Sequence, residues 1–264
     1  MPAKLFVMDM DGTLIGRSRR ISERNKEALR AAANDGVIVT IATGRMYASA
    51  LPTAKELGID VPLITYNGAL IKSVSGKVLY ESCLNADYVR EVLDFCIERG
   101  WHIQLYSGDE LYFTEHNDYA KGYERLSGIA GHVVGMDIYK HTYRVSKMLS
   151  ITDGADETDM RVAELRKAFG GRLFPVKSNP NYAEIIGIGV NKASGIKRLA
   201  DVLGISISDT VAIGDSNNDI PMLQAAGMGI AMGNAVPEVK ASADAVVSSV
   251  DDDGVAEAVY EYVL

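Results

Sequence analysis

The sequence predicts an α/β fold: a parallel sheet with crossover helices, interrupted by a smaller inserted α+β domain. Three observations carry this expectation. Short apolar runs alternate with helix-length segments over residues 5–66, as strands and crossover helices do in a parallel sheet. Between Leu84 and about Gly187 the rhythm lapses into strand pairs separated by helices, and it resumes after Gly189. The distinctive polar clusters all follow apolar runs, at what would be the carboxyl ends of strands, where ligands bind in such sheets.

Leu5 to Met8 is an apolar run that ends in Asp9 and Asp11. Side chains alternate along a strand, so the two aspartates are expected to leave it as neighbours on one face. Two carboxylates that close repel unless a cation or a shared proton holds them, and Gly12 lets the chain turn directly after them. Ser22 can cap a helix reaching about Asn34, with Gly36 as its stop. Val37 to Ala42 reads as a second strand, ending in Thr43-Gly44-Arg45, and a helix of roughly a dozen residues closes near Gly58. Leu63 to Tyr66 is a third strand ending in Asn67-Gly68, and Ser75-Gly76 marks a hairpin.

In the insertion, helices are expected over 87–99 and 156–169, and strands over 103–106, 111–114, 145–152, 172–177 and 182–188. Residues 117–136 carry no pattern that assigns them. The parallel rhythm then returns with a helix over 192–203 and a strand over 210–213 that ends in the acidic run Gly214-Asp215-Ser216-Asn217-Asn218-Asp219. A helix to about Ala226, strands at 229–232 and 245–247, and a last helix over 254–262 complete the pattern.

The composition bounds the function. A chain of 264 residues that is 47% hydrophobic and 23% charged is a globular protein of one large or two modest domains. A formal charge of -8 argues against nucleic acid or an anionic membrane as partner. No apolar run approaches membrane-spanning length and no signal-peptide core precedes Asp9, so a cytoplasmic location is expected. Cys83 and Cys96 lack metal-ligand spacing and are expected in the core of a protein from a reducing compartment. Nothing in the pattern sets an oligomeric state.

The two acidic clusters are not calcium loops. Counting from Asp9, the sixth and twelfth positions are Leu14 and Arg20; from Asp215 they are Ile220 and Ala226, where an EF-hand needs glycine and glutamate. No glycine-rich nucleotide fingerprint accompanies a strand, so ATP and dinucleotides are not indicated. What remains is a set of acids with Thr43 and Lys192. Carboxylate and carbonyl oxygens are the ligands magnesium prefers. An ionised aspartate can attack phosphorus, and a divalent cation offsets its repulsion from a phosphate dianion. Lys192 can bind phosphate as a point charge, or be a plain surface lysine. Thr43 with the amides beside Gly44 can hydrogen-bond a phosphate oxygen, and Asp11 can protonate a leaving oxygen and then deprotonate water.

Asp9-Met10-Asp11-Gly12-Thr13, Thr43-Gly44-Arg45, Lys192 and the run Gly214 to Asp219 resemble, in that order, the four motifs of the haloacid-dehalogenase-like phosphatases. The Thr-Gly-Arg form, Tyr66-Asn67-Gly68-Ala69 and the long insertion before Lys192 resemble the Cof-type branch, whose bacterial members are often sugar phosphatases. The resemblance covers essentially the whole chain. It implies a Rossmann-like core of about residues 1–83 and 188–264 and an inserted α+β cap of about 84–187. Caps of this kind close over the site, exclude water and select the substrate.

The resemblance makes Asp9 the nucleophile and Asp11 the general acid/base, with Mg2+ held by Asp9, the backbone carbonyl of Asp11 and Asp215. Thr43, Gly44 and Lys192 would bind the phosphoryl group, with Asn218 near the phosphate and Asp219 near the metal. Arg45 divides evenly between a site residue and a structural ion pair. Asn67 and Gly68 sit on the binding edge, and Glu184 and Asn191, at the return to the core, are further candidates for substrate contact. The four histidines, His102, His116, His132 and His141, show no metal-ligand spacing and are expected to be exposed. The implied reaction is Mg2+-dependent hydrolysis of a small phosphorylated metabolite through an aspartyl-phosphate. Mutase-type phosphoryl transfer on a phosphosugar and a non-catalytic phosphometabolite-binding regulator are the competing readings. Asp11 disfavours dehalogenation, because family members that cleave carbon–halogen bonds lack an acid there.

Overall fold

β1 (Leu5–Met8) is fully buried along its length, which explains why its sequence is a continuous apolar run instead of an alternating one. The computed structural model describes residues 3–264. The chain divides into two compact units, Met1–Tyr80 with Asn191–Leu264 and Glu81–Val190. In the first unit β1 is followed by α1 (Glu23–Asn34), β2 (Ile38–Ala42), α2 (Tyr47–Lys55), β3 (Pro62–Thr65), β4 (Leu70–Ser73) and β5 (Val78–Glu81). Ser22 caps α1 by accepting from the Asn25 amide, as its sequence signal predicts.

The second unit holds α3 (Ala86–Glu98), β6 (Gln104–Ser107), β7 (Glu110–Phe113), α4 (Asp118–Ser127), β8 (His132–Val133), β9 (Val145–Ile151), α5 (Ala155–Phe169), β10 (Phe174–Asn179) and β11 (Tyr182–Ile186). The chain then returns to the first unit with α6 (Lys192–Leu203), β12 (Thr210–Gly214), α7 (Ile220–Ala225), β13 (Met228–Ala231), α8 (Pro237–Ala241), β14 (Ala245–Val246) and α9 (Gly254–Ala258). No helix among the described residues is long and apolar enough to cross a membrane.

The first unit's sheet runs β14-β13-β12-β1-β2-β3-β4-β5. The pairings from β14 to β3 are parallel, and β4 turns back antiparallel to β3. Leu5 pairs with Thr210 on one side and Ile38 on the other, and Met8 with Ile213 and Ile41, so three adjacent strands end at one level. Each fully buried Leu, Ile or Phe in this sheet contributes about 1.5–3 kcal/mol relative to exposure.

The second unit's sheet runs β10-β11-β9-β6-β7-β8 and is antiparallel except for β7 with β8. One face packs on α3 and α5: Leu105, Met148 and Ile185 share a core with Val89, Leu93, Val162 and Leu165. The unassigned stretch 117–136 contains α4 and the two-residue β8. α4 is short and largely exposed, with only Ala120 fully buried although Tyr119, Tyr123 and Leu126 recur at helical spacing; its start is set by Asn117, which accepts from the Ala120 amide.

Two sequence expectations fail here. Cys83 is exposed, in the link into the second unit, whereas Cys96 is buried. His102 is buried, not exposed: Asn117 donates to its Nδ1 at 3.1 Å, and its Nε2–H faces Gln104 Oε1 at 3.3 Å. That neutral tautomer is the one its surroundings satisfy, and burial lowers the imidazole pKa below its ordinary 6.5. The unfolded chain therefore binds the proton more readily. The resulting stability is fully present above the ordinary value and is lost as pH falls below it. Urea melts at about pH 7.5 and 5.5 should show wild type losing more stability on acidification than His102→Gln. Equal losses would mean that His102 is not held neutral.

Candidate active site

The equal strand ends place three motif residues side by side. Asp9 follows β1, Thr43 follows β2 and Asp215 follows β12, each the first residue beyond its strand. The Asp9 amide donates to Ile213 O at 2.9 Å and the Thr43 amide to Ile64 O at 2.8 Å, so both residues are still held by the sheet. From β1 the chain proceeds to β2 and β3 on one side, while β12 and β13 lie on the other. Asp9 and Asp215 thus sit at the topological switch point, where open α/β sheets bind ligands.

Lys192 comes to the same place from the first turn of α6. Asn191 caps that helix by accepting from the Ser194 amide at 2.9 Å, and Ser194 Oγ accepts from the Asn191 amide in return. The Lys192 side chain is 1% exposed and donates to Asp219 Oδ1 at 2.6 Å and to Asp9 Oδ1. The surface-lysine reading is excluded. Its unfavourable position at a helix N-terminus is offset by these two carboxylates. Close approach of the neighbouring loop also requires glycine: Gly68 has φ +108, and a Cβ there would lie 2.5 Å from Asn191 O and 3.1 Å from the Gly195 amide nitrogen.

Around Lys192 lie three acids. Oxygens of Asp9, Asp215 and Asp219 fall within 4.8 Å of one another. Asp219 is fully occupied: besides Lys192 it accepts from the Asp215 and Ser216 amides at 3.0 and 2.9 Å. Asp215 accepts from Thr13 Oγ1 at 2.9 Å and Ser216 Oγ at 3.1 Å. Gly12 (φ +86) leaves room for the Asp215 carboxylate, which an added Cβ would strike.

Burial pushes the Asp9 carboxyl up to about 8; Lys192 pulls it down, and Asp219 and Asp215 push it further up. Burial works against the Lys192 ammonium, but Asp9 and Asp219 outweigh it and hold its pKa above the ordinary value. Burial also raises Asp215. One ammonium does not neutralise three carboxylates, and the cluster therefore favours a further cation. All its donor atoms are hard oxygens, which fits a magnesium-type ion.

Asp11 stands apart from this cluster. β1 ends at Met8, so strand alternation no longer governs the two aspartates. Asp9 is buried, whereas Asp11 is exposed and receives two hydrogen bonds from Arg45, Nε to Oδ2 at 2.7 Å and Nη2 to Oδ1. Arg45 is thus an ion-pair partner of Asp11. Thr43 Oγ1 accepts from the Arg45 amide at 3.2 Å, which leaves its hydroxyl proton to donate elsewhere. Tyr66 and Asn67 both have positive φ, +52 and +55, and the Asn67 amide donates to Thr43 O at 3.0 Å. Asn67 Oδ1 is buried without a hydrogen-bond partner. Asn218 is exposed and shares no hydrogen bond with the acids among the described residues.

Thr13 and Asn234 received no role from the sequence. Asn234 donates to Gly12 O at 2.8 Å and accepts from the Val250 amide at 2.8 Å, pinning the turn after Asp11. The signal that marks it is its position: it follows β13 on the same sheet edge.

Fold and site together define an α/β protein with a buried acid–lysine cluster at the carboxyl ends of its parallel strands. A sequence model described as haloacid dehalogenase-like hydrolase matches residues 6–259, and the chain belongs to that family. Within it the protein is a Cof-type phosphatase, a phosphoric monoester hydrolase. It is 31% identical to the 5-amino-6-(5-phospho-D-ribitylamino)uracil phosphatase YcsE of Bacillus subtilis, over 99% of this chain and 96% of that protein. A haloacid dehalogenase-like hydrolase from Bacteroides thetaiotaomicron superposes with a TM-score of 0.90 at 31% identity, over 98% of each chain. The HAD subclass IIB sugar phosphatase BT4131 superposes with a TM-score of 0.82 at 28% identity, over 98% of each chain.

Proposed function

We propose that the protein hydrolyses small phosphate monoesters, sugar phosphates foremost, with Mg2+ and through a phosphoaspartate at Asp9. The observation that carries this reading is Asp9 itself: a buried carboxylate at the switch point with Oδ1 held by Lys192. That contact orients the group and leaves Oδ2 to attack. In the first step Asp9 Oδ2 forms a bond to phosphorus, the ester P–O bond breaks, and Asp11 gives its proton to the departing oxygen. In the second step Asp11 takes a proton from water, the water oxygen bonds to phosphorus, and the Asp9–phosphorus bond breaks to release inorganic phosphate.

Asp9, Asp215 and the Asp11 carbonyl would hold Mg2+, whose charge offsets repulsion between Asp9 and the phosphate. The Thr43 hydroxyl, Gly44, Lys192 and Asn218 are assigned to the phosphoryl oxygens, and Asp219 to the positioning of Lys192. Arg45 is assigned to the orientation of Asp11, and Asn67 and Gly68 to the loop beside Lys192. The unit of residues 81–190 is assigned to leaving-group selection as a cap. The unpaired cysteines and the acidic net charge suit a cytoplasmic enzyme acting on metabolites. The named activities of the ribitylaminouracil phosphatase and sugar phosphatase relatives support a phosphorylated polyol or sugar as substrate.

The test is phosphate release from a panel of phosphomonoesters with Mg2+ or with chelator. Release that needs the metal is expected. Isomerised ester without phosphate release would favour a mutase, and binding without turnover a regulator.

A further inference from the structure

The loop after β3 carries two destabilising features that folding alone does not explain. Tyr66 and Asn67, neither of them glycine, both stand in the left-handed region, at φ +52 and +55. Side chains there strain the backbone. Asn67 adds the second feature: its Oδ1 is buried and accepts no hydrogen bond from any described residue. An acceptor shut away from water without a donor is costly. Strained residues and unsatisfied polar atoms persist only where their surroundings hold them, and they gather at functional sites.

The neighbours of this loop show what it holds. The Tyr66 amide donates to Arg45 O at 3.0 Å and the Asn67 amide to Thr43 O at 3.0 Å, so the two left-handed residues grip both ends of Thr43-Gly44-Arg45. The Asn67 side chain lies against the middle of that segment: a Cβ on Gly44 would stand 3.2 Å from Oδ1 and 3.3 Å from Nδ2. On its other side the loop meets α6. A Cβ on Gly195 would stand 3.0 Å from Gly68 Cα, so loop and helix touch backbone to backbone. Residues 66–68 thus join the segment that carries Thr43 and Arg45 to the helix that carries Lys192, all within the first unit. Glycine at 67 would keep both backbone bonds, relieve the strain and remove the orphaned oxygen, so stability by itself favours glycine there.

We propose that Asn67 is a positioning residue for phosphoryl transfer: its side chain, kept at the expense of stability, holds Gly44 and with it the Thr43 hydroxyl in place relative to Lys192. This rests on the phosphatase reading above and deepens it, since that reading assigns Thr43, Gly44 and Lys192 to the phosphoryl oxygens. Asn67 acts through these groups and does not itself touch the substrate. Its contribution falls on the transition state, where a small displacement of a donor is expensive.

The experiment compares wild type with Asn67→Gly and Asn67→Ala. Both variants remove the orphaned oxygen; glycine also relieves the left-handed strain, whereas alanine keeps it. Asn67→Gly should melt at or above the wild-type temperature, and Asn67→Ala below Asn67→Gly. Both should lower kcat for a phosphomonoester about 10- to 100-fold, with KM changed by less than about threefold. Both should also weaken inhibition by orthovanadate, whose five-coordinate form mimics the transition state, by a similar factor. Activity would then follow the side chain while stability follows the backbone, which a merely structural residue does not do. A lower melting temperature in Asn67→Gly, or wild-type kcat in both variants, overturns the proposal and leaves the phosphatase reading standing. If wild type releases phosphate from no ester, the phosphatase reading fails separately, and calorimetry with inorganic phosphate decides the positioning role. Weaker binding in both variants supports it, and unchanged or absent binding overturns it.

Discussion

Asp9→Asn is expected to lower phosphate release by about four orders of magnitude or more, since an amide oxygen cannot replace the attacking carboxylate. The same substitution should change the pH dependence of stability. In the metal-free protein the Asp9 carboxyl is raised from 3.8 to about 8, chiefly by burial. A carboxyl raised on folding stabilises below its unfolded value. That contribution is lost as pH rises through about 8, because the ionised form is then forced into a buried, acid-rich site. In chelator, wild type should therefore lose a few kcal/mol relative to Asp9→Asn between about pH 5 and pH 9. Thermal melts across that window check it. Parallel curves for the two proteins would remove the electrostatic argument, and residual Mg2+-dependent turnover in Asp9→Asn would remove the nucleophile.

Lys192→Met has the second large effect. The lysine lies buried between Asp9 and Asp219, so its loss leaves carboxylates uncompensated in the interior. Breaking a buried pair from one side costs about 3–5 kcal/mol. The acids can respond by taking up protons, so the loss should grow with pH between about 6 and 9. Activity should fall about 10²–10³-fold through the missing charge at the phosphoryl group. Chelator melts and steady-state kinetics test both parts. A variant as stable as wild type at pH 9 would mean that the lysine does not neutralise the cluster.

Much of the first unit was legible because its signals are local. α6 spans Lys192–Leu203, the same residues that the periodicity marks out. β12 was expected over 210–213 and runs Thr210–Gly214, since a short apolar run between turn residues has few alternatives. α4 escaped because it is short and largely exposed, so that Tyr119, Tyr123 and Leu126, though at helical spacing, do not stand out among the charged residues around them. His102 was misplaced for a related reason. It is buried between Asn117 and Gln104, polar partners that do not mark a core position in sequence. The exposure of Asp11 and its pairing with Arg45 were not legible, because β1 ends at Met8 and alternation does not set the surroundings of residues beyond it.

By itself the sequence determined which residue types stand at the strand ends: Asp9, Thr43 and Asp215, each directly after an apolar run. It also determined that Lys192 opens a helix at the return to the parallel pattern. Both follow from short-range physics, the period of strands and helices and the turn chemistry that stops them. Only the tertiary structure decided the pairings: Lys192 with Asp9 across 183 positions, Arg45 with Asp11, and Lys147 with Glu184. Partners so far apart in the chain are chosen by sheet register and by the cost of burying an uncompensated charge, and neither quantity is written in any local window of residues.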